Sequence, residues 1–288
     1  MRRLFLTLTL LSGLMLAASF LGPLHPAGDT LAVFRPLWAG VMALSALAAG
    51  LSGARRLGAV ALILALGASA PMILGAMRGD EAPARVDLTL YSKNLLATLA
   101  DPAPLVADIL ETGADVVLLQ EVSDSNAAIL DLLRETYPHQ HLCRFSSRGG
   151  IAVLSRWPGE AVQCSPMRGM AAMQVASPSG PVWAASIHLT WPWPYAQGAA
   201  VRAIAPLLEP MRGRVVIGGD FNMVPWGYAV RALGAAAGAQ RIGPMRATIR
   251  VLGLGWPIDH VLTSGQGSTE IRPRLGSDHA GVVARIGF

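Results

Sequence analysis

Residues 115–121 read Asp-Val-Val-Leu-Leu-Gln-Glu. A strand with one wet face alternates apolar and polar side chains. An unbroken aliphatic run bounded by polar residues instead describes a strand covered on both faces. Working outward, residues 101–113 open with Asp101-Pro102, carry Leu105, Ile109 and Leu110 on one side and end at Gly113. That pattern predicts a capped, amphipathic helix. A strand over 86–91 precedes it and a second helix over 126–136 follows the central run. Short strands are expected over 142–145, 151–154, 161–164, 172–176 and 182–187, separated by Gly, Pro and Ser turns. A third helix covers 197–208, a strand 214–217, a short helix 227–233, and closing strands 258–262 and 281–286. Many short strands with few helices predict an α+β fold, a four-layer α/β/β/α sandwich with helices outside two packed sheets.

Composition divides the chain in two. Of its 288 residues, 52% are hydrophobic and 14% charged, against about 25% charged in an ordinary soluble domain. Residues 1–79 hold one acidic side chain, Asp29, and six basic ones, Arg2, Arg3, Arg35, Arg55, Arg56 and Arg78. Removing these from the 23 basic and 18 acidic residues of the whole chain leaves 17 of each in 80–288. The net charge of +5 therefore belongs to the N-terminal region. A neutral domain whose one lysine is Lys93 gives no general support to phosphate-backbone binding, which needs clustered cations.

The N-terminal region carries three apolar runs, 4–21, 36–52 and 57–77. A spanning helix needs about 20 apolar residues, so residues 1–79 are expected to be a membrane anchor of about three transmembrane helices. The basic start and the link Gly53-Ala54-Arg55-Arg56 fall on the cytoplasmic side by the positive-inside rule. Residues 80–288, a separate catalytic domain after the polar linker 78–85, are then outside. The expectation is a multi-pass protein of a bacterial inner membrane with its domain on the periplasmic side. The first run also fits a signal peptide, and either reading leaves 80–288 outside. The two cysteines, Cys143 and Cys164, flank an expected hairpin. An oxidising exterior permits a disulfide between them, and two unrelated small apolar residues are the alternative.

Polar residues collect where the expected strands end. Asn94 follows the first strand and Glu121 the central one. His188 ends 182–187, and Asp220 and Asn222 follow 214–217 in Gly218-Gly219-Asp220-Phe221-Asn222. Asp259 sits at the start of 258–262, and Asp278 and His279 precede the last strand. Glu121 and Asp278 are hard oxygen donors suited to Mg²⁺ or Mn²⁺. Two histidines with an aspartate not bound to metal suit acid and base work. The aromatic segment Trp191-Pro192-Trp193-Pro194-Tyr195 stands directly after this site. It is open to three readings: stacking on a base or sugar, lying at the membrane headgroup level, or packing its own loop.

The set Ser92-Lys93-Asn94, Leu119-Gln120-Glu121, Ser186-Ile187-His188-Leu189, Gly219-Asp220-Phe221-Asn222, Ile258-Asp259-His260-Val261 and Ser277-Asp278-His279 resembles the endonuclease/exonuclease/phosphatase superfamily. The order is the family's and the resemblance covers about 86–287. It implies that Glu121 binds a divalent cation with Asn94 and Asp278 nearby, and that Asp220 orients or deprotonates the attacking water. Asn222 is implied to hydrogen-bond the phosphoryl group and His188 to contact the phosphate. His279, held by Asp259, is implied to stabilise the pentavalent group or act as acid/base. Lys93 and His260 read as neighbours of the site; Arg148, Arg168, Arg246 and Arg250 read as surface residues, with a place near the rim that attracts anionic substrate as the alternative.

The function expected is that of a membrane-anchored, Mg²⁺-dependent phosphoesterase, with Mn²⁺ as a substitute. Its expected partners are the lipid bilayer and a phosphoester substrate, on a lipid, a small molecule or nucleic acid, with no obligate protein partner evident. An extracytoplasmic nuclease and a non-catalytic binding module that kept the fold are the alternatives. The short domain and its neutral surface count against duplex DNA.

Overall fold

In the computed structural model, residues 1–77 and 79–288 are described; Arg78, counted above in the polar linker, lies outside them. Four helices come first: α1 (Arg2–Ala18), α2 (Ala27–Val33), α3 (Arg35–Leu51) and α4 (Arg55–Met77). The remainder runs β1 (Leu88–Asn94), α5 (Ala103–Thr112), β2 (Val116–Val122), α6 (Ala128–Leu132), β3 (His139–Arg144), β4 (Gly150–Ser155), β5 (Gly159–Cys164), β6 (Met170–Ser177) and β7 (Gly180–His188). It continues with α7 (Gln197–Leu208), β8 (Val215–Asp220), α8 (Tyr228–Ala237), β9 (Gln240–Arg241), β10 (Ile249–Val251), β11 (Leu254–Trp256), β12 (Asp259–Thr263), β13 (Gln266–Arg272) and β14 (Gly281–Gly287).

The strands form two six-stranded sheets, ordered β13-β14-β1-β2-β4-β3 and β5-β6-β7-β8-β12-β9, with β10 and β11 a separate hairpin. The run that opened the sequence reading is β2, and its side chains divide by parity, as a pleated strand requires. Val116 and Leu118 join Leu88, Leu90, Ile151 and Val153 in an inter-sheet core that meets Ala171, Met173, Val175, Val182 and Val216 of the second sheet. Val117 and Leu119 face the other way, into the cluster that α5 and α6 complete with Leu105, Ile109, Ile129 and Leu133. The outer face of the second sheet is covered by α7 and α8 through Val201, Ile204, Leu208, Val230 and Leu233. The α+β sandwich of four layers is thus present.

Some boundaries differ from the sequence reading. The helix expected over 126–136 holds only as α6, because Asn126 spends its side chain on loop contacts rather than opening a helix. The edge strand β13 and the helix α2 carry no clear period and were not expected. Cys143 and Cys164 are bonded, with their Cα atoms 5.7 Å apart. The bond joins β3 and β5, the edge strands of opposite sheets.

The three apolar runs correspond to α1, α3 and α4. Among the described residues, α4 alone is apolar enough by length and composition to cross a membrane, and α2 with α3 passes the same test only as a pair bent by 66°. α1 has 17 residues. The seams between these helices mix the small side chains of the buried Ala39, Ala46, Ala61 and Ala65 with Leu16 and Met42. A Cβ on Gly58 would stand 2.5 Å from the Ala46 carbonyl oxygen, so close approach of α4 to α3 requires glycine there. The opposite faces leave Leu10, Leu14, Leu44, Leu47, Ile63 and Leu64 exposed.

Candidate active site

The second sheet builds its share of the site by register. β7 pairs in parallel with β8 so that His188 stands beside Asp220, and β12 pairs antiparallel so that Asp259 stands on Asp220's other side. Three functional side chains on three adjacent strands therefore reach the rim at one level. The two glycines before Asp220 answer specific demands. Gly219 has φ +144, and a Cβ there would meet the Ile187 carbonyl oxygen at 2.0 Å. A Cβ on Gly218 would press against Leu118 of the facing sheet at 2.9 Å. After Asp220 the chain turns sharply. The Asn222 amide donates to Asp220 Oδ1 at 2.8 Å, and Asn222 Nδ2 donates to the Leu189 carbonyl at 2.8 Å and lies 3.2 Å from Asp220 Oδ2.

The first sheet supplies Asn94 from the regular end of β1, in register with Gln120 of β2, but Glu121 through irregular backbone. Glu121 interrupts the pairing of β2 with β4, where register shifts between Gln120 and Val122, and its φ is +57. A bulge in the left-handed region turns the side chain out of the sheet toward the rim. Asn126, fully buried, donates from Nδ2 to the Glu121 carbonyl at 3.0 Å and accepts the Ser123 amide at 2.8 Å. Beneath the site, Gln120 Nε2 donates to Ser186 Oγ at 2.9 Å and so ties the sheets together.

These parts converge. Asn94 Nδ2 donates to Asp220 Oδ2 at 3.0 Å and to Glu121 Oε1 at 3.3 Å, while its Oδ1 accepts the Leu96 amide. His188 Nε2 lies 3.6 Å from Glu121 Oε1 and 3.7 Å from Asp220 Oδ2. His279 Nδ1 meets Asp259 Oδ2 at 2.8 Å, which leaves Nε2 facing Asp220 Oδ2 at 3.7 Å. Of the residues named from sequence, Asn94, Glu121, His188, Asp220, Asn222, Asp259 and His279 form one cluster. Asp278 stands at its edge; its side chain is exposed and its described contact is Ser277 Oγ at 3.5 Å.

Burial and charge set the two histidines apart. Burial holds the His188 imidazole well below its usual range, and Arg168 and His279 push the same way. Burial also acts to lower His279, but the charge and hydrogen bond of Asp259, then Asp220 and Asp278, outweigh it and raise the group to about 9. Asp220 is raised above the carboxylate range by burial and then by the charge of Asp259. One imidazole is thus held neutral and the other cationic at neutral pH.

The donor set fits a divalent cation. Asp220, Asp259 and His279 each place a donor atom within 4.8 Å of the others, and Glu121 faces the same space. Hard carboxylate oxygens gathered this closely suit Mg²⁺ or Mn²⁺. Asn94 as placed presents its NH₂ to the carboxylates and not its oxygen, an orientation set by the hydrogen-bond network.

Three side chains matter to the site beyond the motifs singled out from sequence. Arg168, for which a place near the rim is the lesser of two sequence readings, lies against His188, its Nη2 2.9 Å from each ring nitrogen. Only the pairing of β6 with β7 brings the residues around Gly169 to His188, so no local signal marks it. Gln197 Nε2 spans the Thr190, Phe221 and Asn222 carbonyls and fixes the turn behind the site. Asn126 is the third. Lys93 and His260 are neighbours, as expected. Lys93 Nζ holds the carbonyls of Pro273, Arg274 and His279 in place, and His260 Nε2 lies 2.8 Å from the Met223 carbonyl.

The chain belongs to the Endonuclease/Exonuclease/phosphatase family, whose model matches residues 77–279. Solved structures of similar fold include a 3′–5′ exonuclease from Neisseria meningitidis, with a TM-score of 0.55 and 17% identity, covering 70% of this chain and 100% of that one. An AP endonuclease from Archaeoglobus fulgidus gives 0.56 and 17%, with the same coverage. Beta toxin from Staphylococcus aureus, solved with bound magnesium ions, gives 0.53 and 15%, covering 69% and 99%. A sequence comparison with curated proteins finds no match.

Proposed function

We propose that this protein is a membrane-anchored, divalent-metal-dependent phosphoesterase. The observation that carries the reading is the convergence of Asn94, Glu121, His188, Asp220, Asn222, Asp259 and His279 from both sheets onto one rim. Glu121, with Asn94 and Asp278 at hand, would hold the cation, which would neutralise charge on the phosphoryl oxygens and polarise the phosphorus. Asp220 orients the attacking water and takes its proton. Asn222 Nδ2, which here donates to the Leu189 carbonyl and at 3.2 Å to Asp220 Oδ2, would turn the second of these hydrogens to a phosphoryl oxygen. Neutral His188 and the guanidinium of Arg168 contact the phosphate, and cationic His279, oriented by its Nδ1 contact with Asp259, stabilises the charge that spreads over the equatorial oxygens.

The same reading divides the chain into an anchor, residues 1–79, and a catalytic domain, residues 80–288, on the periplasmic side of a bacterial inner membrane. The exposed leucines around α1, α3 and α4 favour a lipid surrounding, and small residues at the seams are how helices associate in lipid. The Cys143–Cys164 bond favours an oxidising compartment. The names of the Neisseria and Archaeoglobus relatives favour a nuclease as the second reading.

The test is hydrolysis of bis-p-nitrophenyl phosphate by the full chain in detergent, with Mg²⁺ or Mn²⁺, EDTA and the Asp220→Asn variant. Metal-dependent turnover that the variant abolishes is expected. Turnover unaffected by either EDTA or the variant would remove the site assignment. Cleavage of DNA with steep salt dependence would favour the nuclease.

A further inference from the structure

The link between the first two apolar runs, residues 22–34, is docked on the catalytic domain. Asp29, 5% exposed, accepts the Tyr228 amide at 2.6 Å with Oδ1 and the Ala229 amide at 3.0 Å with Oδ2. It thereby caps α8, whose own N-terminal residue supplies no side-chain cap. Trp226 Nε1 donates to the Ala32 carbonyl at 2.7 Å, Thr30 Oγ1 to the Trp193 carbonyl at 2.6 Å, and Phe34 meets Trp256 edge to face. Gly22 and Gly28 permit the approach. A Cβ on Gly22 would stand 2.7 Å from Asp29 Oδ1, and one on Gly28 would stand 2.3 Å from the Gly22 nitrogen.

The place of this dock follows from the topology. α7 and α8 begin just after β7 and β8 end, so their N-termini lie at the rim that carries His188 and Asp220. The link caps α8, and its Pro26 lies over the first turn of α7, where a Cβ on Gly198 would meet it at 3.1 Å. Gln197, one residue away, holds the Asn222 carbonyl. The return from α4 starts at the same end. Gly75 approaches Met245, Asp80 accepts the Thr269 amide half-way along β13, and Pro83 reaches Gly287 at the opposite end of the sandwich. The apolar helices therefore join the sandwich at its catalytic rim. At that junction the Trp193 ring lies 6.4 Å from His25 of the link; Trp191, Trp193 and Tyr195 are exposed, as are Leu24 of the link and Phe20 and Leu21 just before it. Amphipathic aromatics continuous with an apolar helical surface are what a headgroup layer selects.

We infer that the 22–34 link pins the catalytic rim against the bilayer surface, so that the phosphoester this site takes is carried by a membrane lipid headgroup. The inference rests on the phosphoesterase reading for its chemistry and on the dock for its direction. In the step itself, water oxygen bonds to phosphorus as the P–O bond to the leaving alcohol breaks. The leaving oxygen ends with the proton that the water gave up, so no other reactant is needed.

The experiment uses the full chain reconstituted in vesicles of phosphatidylethanolamine, phosphatidylglycerol and phosphatidic acid with Mg²⁺. Hydrolysis of these lipids is followed beside that of bis-p-nitrophenyl phosphate and of single-stranded and duplex DNA. In parallel, Trp191→Cys and Gln266→Cys are each labelled with an environment-sensitive fluorophore. The two positions stand at opposite ends of the sandwich, roughly 20 Å apart along seven-residue strands. The expected result is lipid hydrolysis, a blue shift at 191 with loss of emission to headgroup-labelled quencher lipids, and neither change at 266. Soluble diester cleaved with every lipid intact would overturn the inference and leave the phosphoesterase reading standing. DNA cleaved in place of lipid would overturn it in favour of a nucleic acid substrate. A 191 label no more quenched than the 266 label would overturn the orientation whatever is cleaved. No turnover on any substrate would remove the phosphoesterase reading and the lipid claim together.

Discussion

The two sheets contribute to one site by opposite means. In the second sheet, His188, Asp220 and Asp259 arrive by regular pairing of three neighbouring strands, and the price in strain falls on one glycine. In the first sheet, Glu121 arrives by breaking the pairing, on a bulge with positive φ that a buried asparagine holds in place. The half built by register carries the groups assigned to water activation, and the half built by distortion carries the carboxylate assigned to the cation. A regular ladder fixes a side chain through many backbone hydrogen bonds at once. A bulge fixes one through a few local contacts, so it is the half more exposed to remote substitution.

The largest effects should separate the halves by their kind. Asp220→Asn removes the proton acceptor and is expected to lower kcat by about 10²–10⁴-fold at saturating metal. Glu121→Gln keeps the shape but loses ligand charge. It should raise the Mg²⁺ concentration needed for half-maximal activity by more than about tenfold, and excess metal should recover part of the rate. Metal titrations of kcat on bis-p-nitrophenyl phosphate test both. If excess Mg²⁺ rescues Asp220→Asn and not Glu121→Gln, the division of labour is the reverse of the one argued. Gly219→Ala should be as damaging by a structural route. Its Cβ would meet the Ile187 carbonyl oxygen, so β7 and β8 must part where His188 and Asp220 pair. A loss of stability of at least about 3 kcal/mol in denaturant is expected, with activity lost in whatever fraction remains folded.

The legibility of this molecule from sequence follows the same divide. β2 was readable because both of its faces are buried, which leaves an unbroken aliphatic run. The strand ends were readable because Asp220, Asn222 and His188 follow directly on apolar stretches. Arg168, Gln197 and Asn126 were not, because each reaches the site through pairing or loop geometry that no local pattern encodes. β13 was missed because an edge strand with mixed burial has no clean period. The partnership of Asp29 with α8 joins residues 199 apart in sequence, and a lone acid in an apolar region reads at first only as a charge outside the membrane.

A fourth prediction concerns the bond between the sheets. Cys143 and Cys164 are 21 residues apart and staple β3 to β5, at the edge away from β13. Cys143→Ser with Cys164→Ser is expected to lower stability by about 2–4 kcal/mol, through the freedom returned to the unfolded chain. The site should keep its turnover at low temperature, because β1, β2, β7 and β8 lie inward of that edge. A variant that folds as stably as the parent but has lost its turnover would mean that the rim depends on the staple directly.

The smallest effect is the most informative about the bulge. Asn126 touches no group assigned to chemistry. It accepts the Ser123 amide and donates to the Leu96 and Glu121 carbonyls from a fully buried position. Asn126→Ala leaves the buried Ser123 N–H without its partner, an expected loss of about 1–3 kcal/mol. It also frees the Glu121 carbonyl, so the left-handed residue can relax toward an ordinary strand conformation and carry its carboxylate away from Asn94 and Asp220. The expected signature is a rise of about tenfold in the metal required, with kcat at saturating Mg²⁺ close to the parent's. Asn126→Asp, which keeps the acceptor for Ser123 but loses the donors, should recover stability more than metal affinity. Equal recovery of the two would mean that the asparagine acts on the fold alone, and that the bulge holds Glu121 without it.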